Sequence, residues 1–190
     1  MRAGTRNIER KKRIVYAECF DLTWELPPYQ EANMKEAKFS IRAIPDEISS
    51  AARNTRKSPQ YGHPAHVEVA GGSGPCRQCL RTFDVGKEDR ILFTYNPFDG
   101  LDPYPSPGPI FVHETPCATH SPQDRFPDTL RSLPLVFEGY GSDRWVTARE
   151  KVNDGAAEAA IARIFDQPAV EYIHVRHGEA GCFIAHISRA

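Results

Sequence analysis

The sequence predicts a single α+β domain with two helices and a mostly antiparallel sheet of six or seven strands. Short runs of alternating apolar and polar residues recur between turns rich in proline and glycine, which is typical of strands. One stretch late in the chain carries an apolar stripe with helical spacing. With 190 residues, 40% of them hydrophobic, the chain is long enough to bury one core.

The first strand is expected within residues 34–44, because Phe39, Ile41 and Ala43 alternate and so share one face. A short helix is expected next, since Pro45 suits the first turn of a helix. Residues 1–33 are basic at their start and show no sustained period. We therefore interpret residues 1–33 as an N-terminal extension, ordered or flexible, and residues 34–190 as the α+β domain.

The remaining elements follow in the order of the chain. Strands are predicted at residues 66–70, 90–95, 109–114 and 133–140. A helix capped by Asn153 or Asp154 follows and ends before Pro168. Its core-facing stripe consists of Ala157, Ala160, Ile161, Ile164 and Phe165. The chain then forms a hairpin from residues 170–177 and 182–187.

Charge and hydropathy exclude several functional classes. The formal net charge is -1 and no basic stripe runs through the domain, so nucleic acid is not expected as a partner. No run of eighteen apolar residues is present, which predicts that the protein neither spans a membrane nor binds to one. These features predict a cytoplasmic protein, and they leave the oligomeric state undetermined.

Cysteines mark the candidate site. Cys76 and Cys79 are two residues apart in a glycine-rich context, and Cys117 follows in a segment that also contains histidines. Such a pair can chelate a soft metal, expose a reactive thiolate or only pack a loop. The flanking Arg77 and Arg81 favour a thiolate, since a nearby cation lowers the pKa of a thiol. Zinc is the predicted cofactor, because three cysteines and one histidine would complete its four ligands.

Either His113 or His120 could supply the fourth ligand. His113 and Cys117 would lie about 13 Å apart on an extended strand, so the chain would have to bend at Pro116 for both to bind one ion. His120 reaches the ion more easily through a Cys-x-x-His turn. The predicted metal ligands are therefore Cys76, Cys79, Cys117 and His120.

A second candidate site lies on the penultimate strand. Tyr172, His174 and Arg176 alternate and so share one face. Together with His113 they predict a pocket with a general base and an anion clamp for a small anionic molecule. His113, His174 and Arg176 are the predicted catalytic residues.

Aromatic residues are expected to form the wall of that pocket. Residues 96–108 contain four prolines, which favours a stiff loop that covers a pocket or merely connects two strands. Its aromatic residues, with one from the penultimate strand, are the predicted substrate contacts: Phe98, Tyr104 and Tyr172. Cys182, at the start of the last strand, is a further candidate.

Several blocks of this sequence resemble a bacterial family of domains of unknown function, number 1203. The blocks are Pro-Cys-Arg-Gln-Cys-Leu-Arg from Pro75, Leu-Phe-Thr-Tyr-Asn-Pro-Phe from Leu92, Gly-Pro-Ile-Phe-Val-His from Gly108, and Tyr-Ile-His-Val-Arg from Tyr172. The resemblance runs from about Phe39 to the C-terminus and includes Gly-Cys-Phe at Gly181. It implies one polar site but no particular reaction. His120 lies outside these blocks, which weakens it as the fourth ligand.

The first functional hypothesis is a metal-binding protein with a His/Arg pocket for a small anion. The alternatives are an interaction module without catalysis, in which the sulfur cluster only fastens loops, and a thiol-dependent redox protein.

Overall fold

The computed structural model describes residues 38–98, 107–153 and 155–190. The predicted extension at residues 1–33 and Tyr104 of the proline-rich loop lie outside these ranges. In the described parts of the chain, no helix is both long and apolar enough to cross a membrane.

The described residues form eight strands and two α-helices, which confirms the predicted α+β class. In chain order the strands and helices are β1 (Phe39–Arg42), α1 (Asp46–Thr55), β2 (His66–Val69), β3 (Asp89–Tyr95), β4 (Gly108–His113), β5 (Leu135–Tyr140), β6 (Val146–Val152), α2 (Ala157–Phe165), β7 (Tyr172–His177) and β8 (Phe183–Arg189). A single 3-10 turn, Asp128–Leu130, precedes β5.

The strands divide into two antiparallel sheets rather than one. The larger sheet has the order β1-β8-β7-β5-β6, and the smaller has the order β2-β3-β4. The predicted hairpin is present as β7 and β8, in which His174 lies opposite His186. The pairing of β1 with β8 places Arg42 opposite the same residue, His186. Three polar residues from three adjacent strands therefore lie side by side.

Helix α2 covers one face of the larger sheet. Its predicted stripe is buried, and Ile164 lies against Gly139 of β5 so closely that a Cβ at Gly139 would be 2.8 Å from Ile164 Cγ2. The helix begins at Ala157 with Ala156 as its N-cap, so Asn153 does not cap it, and Asp154 lies outside the described residues. A separate group of buried residues joins α1 to the smaller sheet and includes Cys76, Phe83 and Phe93.

Candidate metal centre

A tight turn presents Cys76 and Cys79. The backbone N–H of Leu80 donates to Cys76 O at 2.9 Å, and the N–H of Cys76 donates to Arg81 O at 2.8 Å. Leu80 adopts a left-handed conformation with φ 59°, which leucine rarely does. Its side chain is fully buried in the core of the larger sheet. This anchorage holds the turn in the conformation that aims both sulfurs to one side.

Strand β4 and the loop after it bring the other two residues to the turn. The N–H of Arg77 donates to Phe111 O at 2.9 Å, which joins the turn to β4. His113 ends β4, and the chain bends at residues 114 and 115 instead of continuing as a strand. The bend that His113 and Cys117 would need to bind one ion is therefore present, immediately before Pro116.

Three cysteines and one histidine converge here, and we call them the Cys3His cluster: Cys76, Cys79, His113 and Cys117. Their ligand atoms all lie within 4.8 Å of one another. The sulfurs of Cys76 and Cys117 are 3.8 Å apart, and Cys79 Sγ is 3.5 Å from His113 Nδ1. A tetrahedral zinc site with Zn–S bonds of about 2.3 Å has edges of about 3.5 to 3.8 Å. These two distances therefore match the edges of a tetrahedral metal site.

Neighbouring residues hold the cluster in place. Nε2 of His113 lies 3.3 Å from the Glu88 carboxylate, so Nδ1 is left to face the sulfurs. Arg53 of α1 donates from Nε to His113 O at 2.9 Å and lies 3.8 Å from Cys117 Sγ. The backbone N–H of His113 donates to Cys76 Sγ at 3.4 Å. Such partners orient metal ligands, and a carboxylate such as Glu88 also increases the basicity of the histidine that it accepts from.

The same contacts shift the acidity of the cluster. Hydrogen bonds with Cys117 and Cys76 hold the pKa of Cys79 well below its usual range. Hydrogen bonds with Cys76 and Cys79 raise the pKa of His113 to about 10, and those with the same two residues raise the pKa of Cys117. Because metal ligands must be deprotonated, binding an ion releases the remaining protons of the cluster.

His120, the predicted fourth ligand, is not part of the cluster. Its backbone N–H donates to Gln78 O at 2.8 Å, and its ring lines a cavity next to Arg42 and His186. His113 takes the position that was predicted for His120. The sequence allowed either histidine as the fourth residue of the cluster, and the bend after β4 brings His113 rather than His120 to the three cysteines.

The residues of the predicted catalytic pocket lie on two different sheets. His113 belongs to the smaller sheet and to the cluster, whereas His174 and Arg176 lie on β7 of the larger sheet. One cavity is lined by Arg176 and another by His174, and His113 lines neither of these two.

Arg176 already has a protein partner. Its Nε donates to the buried carboxylate of Glu138 at 2.6 Å, and Arg149 approaches the other oxygen of that carboxylate at 2.7 Å. The hydroxyl of Tyr140 also donates to Glu138, at 2.7 Å. Arg176 therefore neutralises a buried acid, and its predicted part in catalysis stays a prediction.

Two of the three aromatic residues predicted as a wall, Phe98 and Tyr172, lie next to His174. Its ring lies 4.8 Å from the Phe98 ring and 5.2 Å from the Tyr172 ring, and Tyr172 stacks on His186 with centroids 5.1 Å apart. Cys182 lies outside the Cys3His cluster, and its thiol donates to Ala180 O at 3.6 Å.

Sequence reasoning did not identify Glu88, Arg53, Arg42 or His186 as site residues. Glu88 is 25 residues from His113 in the sequence, and only the pairing of β3 with β4 brings them together. Arg77 was noted as a cation that could lower a thiol pKa, but it donates to the backbone carbonyls of Pro75 and Phe183. The charge of an arginine in the sequence does not show that its guanidinium donates hydrogen bonds to backbone carbonyls.

Comparison with known families gives one match. The model of a family described as "Protein of unknown function (DUF1203)" matches residues 73–189, a segment that contains all four members of the Cys3His cluster. No curated protein and no solved structure matches the chain.

Proposed function

This chain belongs to the DUF1203 family, and we propose that its Cys3His cluster binds a single zinc ion. The observation that carries this proposal is the convergence of three sulfurs and one imidazole nitrogen within 4.8 Å. A carboxylate on the far side of the imidazole, as Glu88 provides, is the usual companion of a zinc-binding histidine.

The donor atoms favour zinc over other common ions. Thiolates are poor ligands for Ca²⁺ and Mg²⁺, which prefer oxygen, whereas three sulfurs with one nitrogen in a tetrahedron suit Zn²⁺. Four protein ligands also fill the tetrahedron, which is the pattern of structural rather than catalytic zinc sites.

A bound zinc ion would connect parts of the chain that are distant in sequence. Cys76 and Cys79 belong to a turn before β3, whereas His113 and Cys117 follow the last residues of β4. Hydrogen bonds, such as that from the N–H of Arg77 to Phe111 O, and a shared group of buried residues also join these segments. We infer that the ion stabilises the smaller sheet and its loops.

This proposal changes the role of His113. A ligand nitrogen is not available as a general base, so we assign His113 to the metal rather than to catalysis.

The four described cysteines are free, which supports a reducing compartment such as the cytoplasm as the location.

The test is metal analysis of the chain purified without an affinity tag. We expect about one zinc per chain, and we expect Cys76→Ser and Cys117→Ser to lose the zinc together with several kcal/mol of the free energy of unfolding, because structural zinc binding is coupled to folding. Cys182→Ser is the matched control, since Cys182 lies outside the cluster, and it should retain both zinc and stability.

Cobalt provides a second measurement. In the Co²⁺-substituted protein, the sulfur-to-cobalt charge-transfer absorption should fall by about one third in a variant that lacks one cysteine but still binds cobalt. Metal-free wild-type protein that unfolds cooperatively with the stability of the purified sample would refute the structural zinc. Thiols that then react rapidly at neutral pH would favour the thiol-dependent redox alternative.

A further inference from the structure

A cavity of about 370 Å³ opens between the end of β1, the loop after Cys117, and strands β7 and β8. Its polar lining includes one arginine and three histidines, and aromatic rings form part of its apolar wall. These residues are Arg42, His120, His174, His186, Tyr95 and Phe183. Its volume is within the range of small-molecule sites in proteins.

Two polar atoms of this lining lack partners. Among the described residues, three buried side-chain polar atoms have no hydrogen bond, namely His120 Nε2, His174 Nδ1 and Tyr172 Oη. Both histidines line the cavity, and His174 is only 1% exposed. A buried polar atom without a partner destabilises a protein, so a ligand that supplies hydrogen bonds here would recover that free energy.

The charge of the lining is also unusual. Burial lowers the pKa of His174 to about 2, and burial with the nearby Arg42 lowers the pKa of His186 to about 4, so both rings are neutral at pH 7. No acidic residue among those that the structure describes lines the cavity. Arg42 therefore carries the formal positive charge of the lining, and its guanidinium has no ion pair with another described residue.

We propose that this cavity binds a small organic acid with a single carboxylate and an apolar, preferably aromatic, body. The carboxylate pairs with Arg42 at the rim, because guanidinium and carboxylate match in charge and shape. The body lies against Tyr95 and Phe183, and the imidazoles of His120 and His174 bond to polar groups of the ligand.

The single positive charge of the cavity and its apolar wall together define this class of ligand. A divalent phosphate would bring a second negative charge into a cavity that has one cation and neutral histidines, and burying that charge without a partner is unfavourable. The proposal keeps the small anionic ligand predicted from the sequence but moves it from Arg176, which is occupied by Glu138, to Arg42. It does not depend on the zinc.

The experiment is a titration of the ¹⁵N-labelled full chain, as purified, followed by the imidazole nitrogen signals in NMR spectra. The probes are four aromatic acids: benzoate, phenylacetate, 3-phenylpropionate and indole-3-acetate. We expect at least one acid to shift the signals of His120, His174 and His186 saturably. The uncharged 2-phenylethanol should bind at least tenfold more weakly than phenylacetate, because it lacks the carboxylate.

Two variants test the assignment of residues. Arg42→Gln, an exposed substitution that should fold normally, is expected to weaken the best acid at least tenfold. Arg125→Gln is the matched control, since Arg125 is an exposed arginine that pairs with Asp128, and it should leave the affinity unchanged. His174→Phe keeps a ring in the aromatic cluster but removes both ring nitrogens, and it should also weaken binding.

Three results would overturn the proposal: no shift with any of the four acids, equal affinity of wild type and Arg42→Gln, or displacement of the acid by inorganic phosphate at a similar concentration. Zinc is measured in the same samples. A chain without zinc that binds the acid would support the cavity and refute the metal site, and the reverse outcome would do the opposite.

Discussion

At His113, each ring nitrogen faces a different partner. Nδ1 is 3.5 Å from Cys79 Sγ, and Nε2 is 3.3 Å from the carboxylate of Glu88. Glu88 is itself oriented by the backbone N–H of Asp84, which donates to it at 2.8 Å. A carboxylate that accepts a hydrogen bond from Nε2–H keeps that proton on Nε2, so Nδ1 is the nitrogen that loses its proton when a metal binds. We therefore assign Glu88 as a positioning residue of the metal centre.

Glu88→Ala should weaken zinc binding by about 10- to 100-fold, the usual effect of removing such a partner. The measurement is competition with a chelator of known zinc affinity. Glu88→Gln, which keeps an acceptor oxygen but not the charge, should have a smaller effect.

Glu114→Gln provides the control for this series. Glu114 follows His113 directly, but its carboxylate pairs with Arg56 and not with the cluster. Zinc affinity that falls equally in Glu88→Ala and Glu114→Gln would mean that general charge, rather than the contact with His113, explains the effect.

The three cysteines of the metal centre were predictable because their residue type and spacing suffice to indicate a soft-metal site. The choice of His113 over His120 was not, since it depends on how the chain bends at residues 114 and 115. Arg42 and His186 were also not predictable as a pair, because their proximity comes from the register of β1 against β8.

On the scale of secondary structure, strand β5 is enclosed on both sides. It pairs with β6 and β7, and all six of its residues are buried. At Gly139, α2 and the segment before β7 approach the strand closely, since a Cβ there would be 2.8 Å from Ile164 Cγ2 and 3.1 Å from Val170 Cγ1. The glycine is required by packing and not by its backbone conformation.

Gly139→Ala should therefore lower the free energy of unfolding by about 1–3 kcal/mol, the usual effect of overpacking a core. Denaturant unfolding measures it. The Ile164→Ala background removes the contact at 2.8 Å and keeps those with Val170 at 3.1 Å, so the same substitution should have a smaller effect there.

Gly108→Ala is the matched control within a strand. No atom lies within 4 Å of the Cβ that this substitution would add, so stability should change little. Equal losses at Gly139 and Gly108 would show that strand glycines matter here for a reason other than contact with α2.

Most elements were predictable from local patterns, and the exception has a physical cause. Strand β6 was missed because it lies at the edge of the larger sheet and buries only Ala148 and Val152, so Arg149, Glu150 and Lys151 conceal its alternation. The division into two sheets was also not predicted, because strand pairing is not encoded in the period of each strand.

For the whole molecule, the buried histidines link stability to pH. The folded pKa of His186 is lowered to about 4 and that of His174 to about 2, from a usual value near 6.5. Below pH 6.5 the unfolded chain therefore binds more protons than the folded chain. The contribution of these two histidines to the free energy of unfolding is complete above pH 6.5 and falls as the pH decreases, by up to about 1.4 kcal/mol per pH unit for each histidine.

His186→Gln should make this dependence shallower between about pH 6.5 and pH 4, in chemical denaturation series at constant zinc content. His66→Gln, at an exposed histidine of β2, controls for the loss of an imidazole from the surface. A slope that is identical in wild type and His186→Gln would rule out burial of a neutral His186 as its source.

The pairing of β1 with β8 has a consequence for a chain that emerges from the ribosome. All four members of the Cys3His cluster lie between residues 76 and 117, beside the strands of the smaller sheet. The larger sheet, in contrast, cannot be completed until β8 has been translated, because β8 lies between β1 and β7. All four ligands of the proposed metal site are therefore translated before β5. A growing chain that binds the proposed ion could organise the smaller sheet before β8, the partner of β1, has been made.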